Sequence, residues 1–438
     1  MSDPKQPARP ILFTGARLID PAAGREQEGD LLVIDGRIAE WGPRVAGQGL
    51  PDGGERVAAS GLCLAPGIVD LRVQLREPGE EHKETIATAS TAASAGGVTS
   101  MAALPNTDPI IDDVAGIEFV ARRAREIRKV KIYAYAAVTQ GLAGKNLTEM
   151  GLLAESGAVA FTDGLSAVAD ASVMRRALSY ARTFGALIVQ HAEEPRLAAG
   201  GQMNEGELAT RLGLAGIPAT TEVIMIERDL RLVALTGGRY HVAHVATAAG
   251  IAAIRAAKER GLAVTCDTAP PYFALNELAV GEYRTFAKLS PPLRSETDRA
   301  AVAAGIADGT IDCIASDHAP HDQDSKRVPF AQAACGVIGL ETLLPVSLEL
   351  VHKGLLSIPE LFRRLALAPS ELFGLAQGRL ARGSPADLVL FDAERAWVID
   401  EDRFLSKSKN SPFGGRPVQG RVLRTLVDGR TVFAAAQA

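Results

Sequence analysis

Cysteine is scarce and scattered: Cys63, Cys266, Cys313 and Cys335 are the only four in 438 residues, with no CxxC pair and no closely spaced framework. This excludes a disulfide scaffold and a cysteine zinc cluster, and the first three sit in apolar, β-like runs where small buried thiols are expected. Positive charge is not in excess either. The net charge is −5, so no overall basic field recruits nucleic acid or an anionic membrane. The one dense basic run, "RRAREIRKVK" (122–131), closes a helical pattern and reads as a solvated helix end. Long apolar stretches are missing too, and the opening "MSDPKQPARP" is polar and proline-rich without an apolar segment behind it. A cytoplasmic protein with no membrane span is therefore expected. No GxSxG elbow and no phosphate-binding glycine loop occurs, which removes the common nucleophilic and nucleotide-binding chemistries.

What the chain does have is a high apolar content, 47%, enough for a large domain and a smaller one. Short apolar runs recur at 67–75, 97–104, 130–138, 157–162, 185–191, 239–245, 262–268 and 312–317, with helical patterns such as 83–95, 113–127, 171–184 and 248–261 between them. Eight strand and helix units of this kind predict an α/β fold, a (β/α)8 barrel. Residues 11–60 and 378–435 read instead as short strands with turns. Each flank alone has too few strands to bury a face, so the two are expected to pair into one small β-sandwich. The expected domains are 1–62 with 370–438, and a barrel over 63–369.

A barrel of this type builds its active site at the C-terminal strand ends. Five of the seven histidines lie at or beside such ends, His191, His241, His244, His318 and His321, together with Asp163 and Asp317. Imidazoles and carboxylates on converging strands are the donor set of a hydrolytic zinc or similar ion. The first strand, "GIVDLRVQLREPG" (67–79), puts Arg72, Gln74 and Arg76 on one face and Leu71, Val73 and Leu75 on the other.

These stretches, with "LPNTDPIID", "AVAFTDG", "QHAEE", "HVAHVAT", "SPPLR", "IASDHAPHDQDSK" and "GVIGLET", resemble the consecutive motifs of class I dihydroorotases in the amidohydrolase superfamily. "GSPADLVLFD" and "SKNSPF" extend the resemblance into the C-terminal flank. The resemblance implies that Arg76, Asn106 and His321 hold a substrate carboxylate, that His191 and His244 ligate one metal, the β-site ion, and that Asp317 shuttles the proton. Asp163 stands where members have an acidic metal ligand, although "FTDG" departs from their FSDDG. The two histidines that hold the α-site ion in members are replaced by Arg72 and Gln74, and arginine offers only donors. Ser290 stands for an asparagine, and Pro271 and Tyr272 for a histidine pair.

Two functions are compatible with these replacements. One is a dihydroorotase-type cyclic amide hydrolase of pyrimidine biosynthesis, interconverting dihydroorotate and N-carbamoyl-aspartate with a single β-site zinc; Arg72 then lies close enough to Asp317 to depress its pKa. The other is a non-catalytic dihydroorotase-like subunit, without metal, that scaffolds aspartate carbamoyltransferase; Arg72 then pairs with Asp163 or Asp317. The joint presence of His191, His244, Asp317, Arg76, Asn106 and His321 favours the enzyme, and Arg76 with Asn106 favours a carboxylate-bearing substrate over a neutral hydantoin. A homo-oligomer is expected in either case.

Overall fold

The eight apolar runs form eight parallel strands in a computed structural model that describes residues 9–436: β1 (Ile68–Val73), β2 (Val98–Ala103), β3 (Lys131–Ala136), β4 (Ala158–Phe161), β5 (Leu187–His191), β6 (Arg239–Ala243), β7 (Val264–Thr268) and β8 (Cys313–Ile314). The first eight residues of the polar amino-terminal stretch lie outside the described residues. Strands pair with their sequence neighbours from β1 to β8. Closure comes from a parallel bridge between Val73 and His318, with the Gln74 N–H donating to the His318 carbonyl at 2.9 Å. Because all strands run the same way, every C-terminal end opens at one mouth.

The covering helices start where a side chain satisfies free backbone N–H groups. Thr85, Asp113, Asp170 and Thr247 cap the helices Ile86–Ala95, Val114–Ile127, Ala171–Thr183 and Ala248–Glu259. The basic run ends the second of these as expected only as far as Ile127, with Arg123 donating to Glu77; its last residue, Lys131, opens β3 and pairs with Asp387 and Asp428, each at 2.7 Å. Among the described residues no helix is long and apolar enough to cross a membrane.

The flanks meet in one mixed sheet. Strands Ile11–Asp20, Arg25–Ile34, Arg37–Gly42, Glu55–Ala58 and Cys63–Pro66 come from the first flank, and Leu388–Val398, Pro417–Val427 and Arg430–Ala434 from the second. The seam is antiparallel, with Cys63 opposite Phe391 and Pro66 opposite Leu388. One face buries Phe13, Leu18, Leu31, Leu388 and Leu426 in a core of its own. Phe391 and Val389 belong instead to the barrel core. Gly67 joins this sheet to β1, and a Cβ there would stand 2.1 Å from the Thr99 side chain, so no larger residue fits.

Candidate active site

His191 closes β5 and His244 follows β6, which brings His191 Nδ1 within 3.0 Å of His244 Nε2. His244 has φ +40°, a conformation that side-chain-bearing residues rarely adopt. Its backbone is held there by Asp267, the penultimate residue of β7. Asp267 Oδ1 accepts the His244 N–H at 2.7 Å, and Oδ2 meets His241 Nε2 at 2.9 Å. Glu222 secures the next turn by accepting from the Ala246 N–H, the Thr247 N–H and the Thr247 hydroxyl. Burial first, then the charge of Arg72, drives the His244 imidazole well below its ordinary pKa. It is neutral, with a lone pair to offer.

Arg72 points from β1 to the opposite end of the barrel sheet. Its Nε donates to Asp317 Oδ1 at 2.8 Å and its Nη2 to the Gly164 carbonyl at 3.0 Å. Of the two partners expected for it, Asp317 is the one engaged. The expected depression of the Asp317 pKa does not occur: burial lifts this carboxyl above its ordinary value and outweighs the opposing pull of Arg72. A carboxylate so lifted is a better proton carrier than a surface one. Asp317, at φ +49°, and Arg76, at φ +60°, join His244 in the left-handed region, so three site residues share this backbone strain.

The substrate-side residues converge but are already engaged. Arg76 Nε donates to the Pro320 carbonyl at 3.1 Å, Nη1 to Glu80 at 2.7 Å, and Nη2 lies 3.3 Å from His321 Nε2. The Asn106 amide donates to Gln74 Oε1 at 3.2 Å, so Gln74 orients Asn106. Burial, helped by Arg76, pushes His321 down to about 3, so the ring is neutral. Asn410, in the C-terminal flank, ties the His321 loop by accepting the His321 N–H and donating to the carbonyls of Ala319 and Gly336. Asp163 does not join the histidines: both its oxygens accept from Thr139, one from the backbone and one from the hydroxyl.

The donor chemistry decides what ion these residues suit. Two nitrogens on one tetrahedral zinc stand about 3.3 Å apart, close to the 3.0 Å between His191 Nδ1 and His244 Nε2. The pair fits one ion. It does not fit a second, because Arg72 stands beside Asp317 where further donors would be needed. Among the described residues no cluster of three or more potential ligands forms.

Several residues that shape the site were not singled out from sequence. Asp267 obeys the strand-end rule that marked the histidines and is legible in "TCDT". Glu193, which with Ser290 flanks His191 Nε2, lies two residues past that histidine. Glu80 follows Arg76 by four residues, a spacing that carries no signal in a loop.

Comparison with known proteins finds relatives along nearly the whole chain. The dihydro-orotase-like family profile matches residues 61–249. The chain is 45% identical over 422 residues to a dihydroorotase of Geotalea daltonii, covering 96% of this chain and 99% of that one. It is 47% identical over 423 residues to a dihydroorotase of Pelobacter propionicus, covering 97% and 99%. Among solved structures, the L-hydantoinase (dihydropyrimidinase) of Arthrobacter aurescens superposes with a TM-score of 0.85 at 26% identity, over 96% of this chain and 95% of that one.

Proposed function

Because the chain belongs to the dihydroorotase family, we propose that it is a dihydroorotase, a cyclic amide hydrolase of pyrimidine biosynthesis acting on a small carboxylate-bearing ring in the cytoplasm. The observation that carries this reading is a near-full-length match to dihydroorotases in a chain whose barrel mouth gathers two imidazoles 3.0 Å apart and a desolvated carboxyl. His191 and His244 are the residues that would hold a single zinc ion. When bound, that ion supplies Lewis-acid polarisation of the amide carbonyl and acidifies a water molecule. Asp317 takes the water's proton and hands it to the leaving ring nitrogen. Arg76, Asn106 and His321 hold the substrate carboxylate; Glu80 must then share Arg76 with the substrate. Asp163, bound to Thr139, supports the β4 loop and does not ligate.

One observation favours a second reading. The Arg72–Asp317 pair at 2.8 Å neutralises a buried carboxylate without any metal, as a non-catalytic subunit scaffolding aspartate carbamoyltransferase needs. One experiment separates the two: purify the chain with and without added zinc, count bound metal, and assay dihydroorotate ring opening alone and with aspartate carbamoyltransferase. The enzyme reading expects up to one zinc per chain and turnover that His191→Ala abolishes. No metal and no turnover in any condition overturns it. Size-exclusion chromatography with light scattering tests the homo-oligomer.

A further inference from the structure

We infer that Arg72 is a catalytic residue whose Nη1 receives the oxygen of the reacting amide carbonyl; this rests on the cyclic-amide reading above. The Arg72 side chain is 3% exposed. Two of its three nitrogens are used, by Asp317 and by the Gly164 carbonyl. Nη1 is buried and has no hydrogen-bond partner among the described residues. A buried guanidinium N–H left without a partner at the mouth of a site calls for a ligand atom. Arg76, the other guanidinium of this wall, spends Nε on the Pro320 carbonyl and Nη1 on Glu80. Arg72 therefore presents a buried cationic donor with no protein partner.

Its neighbours identify which substrate oxygen it meets. Arg72 is bound to Asp317, the proton carrier, and its charge acts on His244. A donor so placed faces the carbon under attack, whereas the carboxylate grip is assigned to Arg76, Asn106 and His321. The guanidinium stays protonated, so its contribution is electrostatic. As water adds to the carbonyl carbon, its proton passes to Asp317 and the carbonyl electron pair moves onto oxygen, opposite Nη1. The pair then returns, the carbon–nitrogen bond breaks, and nitrogen takes the proton from Asp317. A preorganised donor in a water-excluded site favours the charge on that oxygen.

The test uses the zinc-loaded full chain with dihydroorotate as probe, and Arg72→Met and Arg72→Lys as variants. Arg72→Met is expected to lower kcat by about 10²–10³-fold with KM changed less than about threefold. The loss must appear as a lowered plateau across the pH profile. A shifted profile with an unchanged plateau would mean that Arg72 acts only through Asp317, and overturns the inference. Arg72→Lys keeps the charge opposite Asp317 and guards against misfolding of the methionine variant; it is expected to lose about tenfold or more, and full activity in it overturns the inference. If the wild-type chain binds dihydroorotate in calorimetry without turning it over, the hydrolase reading fails. The catalytic role of Arg72 falls with it, whereas wild-type turnover with an unimpaired Arg72→Met overturns the inference alone. Neither binding nor turnover in the wild type overturns both.

Discussion

Replacing Asp267 by alanine removes, in one step, the acceptor of the His244 N–H and the partner of the His241 ring. Both bonds are short, 2.7 and 2.9 Å, and both ends are buried. Hydrogen bonds to a carboxylate are worth about 1.5–3 kcal/mol each, so losing two of them sets the scale of the effect. Asp267→Ala is therefore expected to lose about 3–5 kcal/mol in urea denaturation followed by circular dichroism at pH 7. Asp267→Asn keeps the shape and one acceptor oxygen, so it is expected to lose about 1.5–3 kcal/mol. The loss should extend to function. Without its acceptor the strained His244 backbone relaxes from φ +40°, and the imidazole leaves its place 3.0 Å from His191. Zinc content and turnover fall together in the alanine variant. A cost below about 1 kcal/mol for Asp267→Ala, or an asparagine variant as damaged as the alanine one, would refute this account of how the turn is held.

Glu341 accepts from the Leu405 and Ser406 N–H groups, and burial pushes its carboxyl from 4.5 up to about 7. A carboxyl raised in the folded state contributes stability that is complete below pH 4.5 and is lost as pH rises through about 7. Glu341→Gln should thus match the wild type at pH 4 and exceed it by up to about 3 kcal/mol at pH 8, read from denaturation midpoints; equal stability at both pH values argues against it. Gly79 has φ +103°, and a Cβ there would meet the Asp108 carbonyl at 2.4 Å, whereas Gly24, at φ +63°, has nothing within 4 Å. Gly24→Ala should cost about 1–2 kcal/mol from backbone strain alone, and Gly79→Ala clearly more. Arg76→Met should raise KM for dihydroorotate about tenfold or more with a smaller change in kcat, since the contact proposed for it is to the unreacting carboxylate.

Much of this architecture was legible in the residues. Period and composition located each barrel strand within a few positions, because an apolar run between turn signals has few other ways to bury itself. The strand-end rule then picked out His191, His244 and Asp317. What pattern does not encode is which neighbour a polar side chain chooses across hundreds of residues. Asp163 and Thr139 are 24 positions apart, and Arg72 and Asp317 are 245. Only the closed barrel brings them together. The direction of the Asp317 shift was misjudged for a related reason: the charge of Arg72 is visible in sequence, but the desolvation that outweighs it belongs to the folded mouth.

The seam between Cys63–Pro66 and Leu388–Phe391 also sets an order of events during synthesis. The segment that leads into β1, and so carries Arg72 and Arg76 into place, takes its antiparallel partner from a strand roughly 320 residues later. At about 5–20 residues per second, that partner leaves the ribosome roughly 15–65 s after the segment it completes. For that interval the segment that feeds the first barrel strand lacks its antiparallel partner, and a late-made strand completes the sheet from which the first wall of the active site departs.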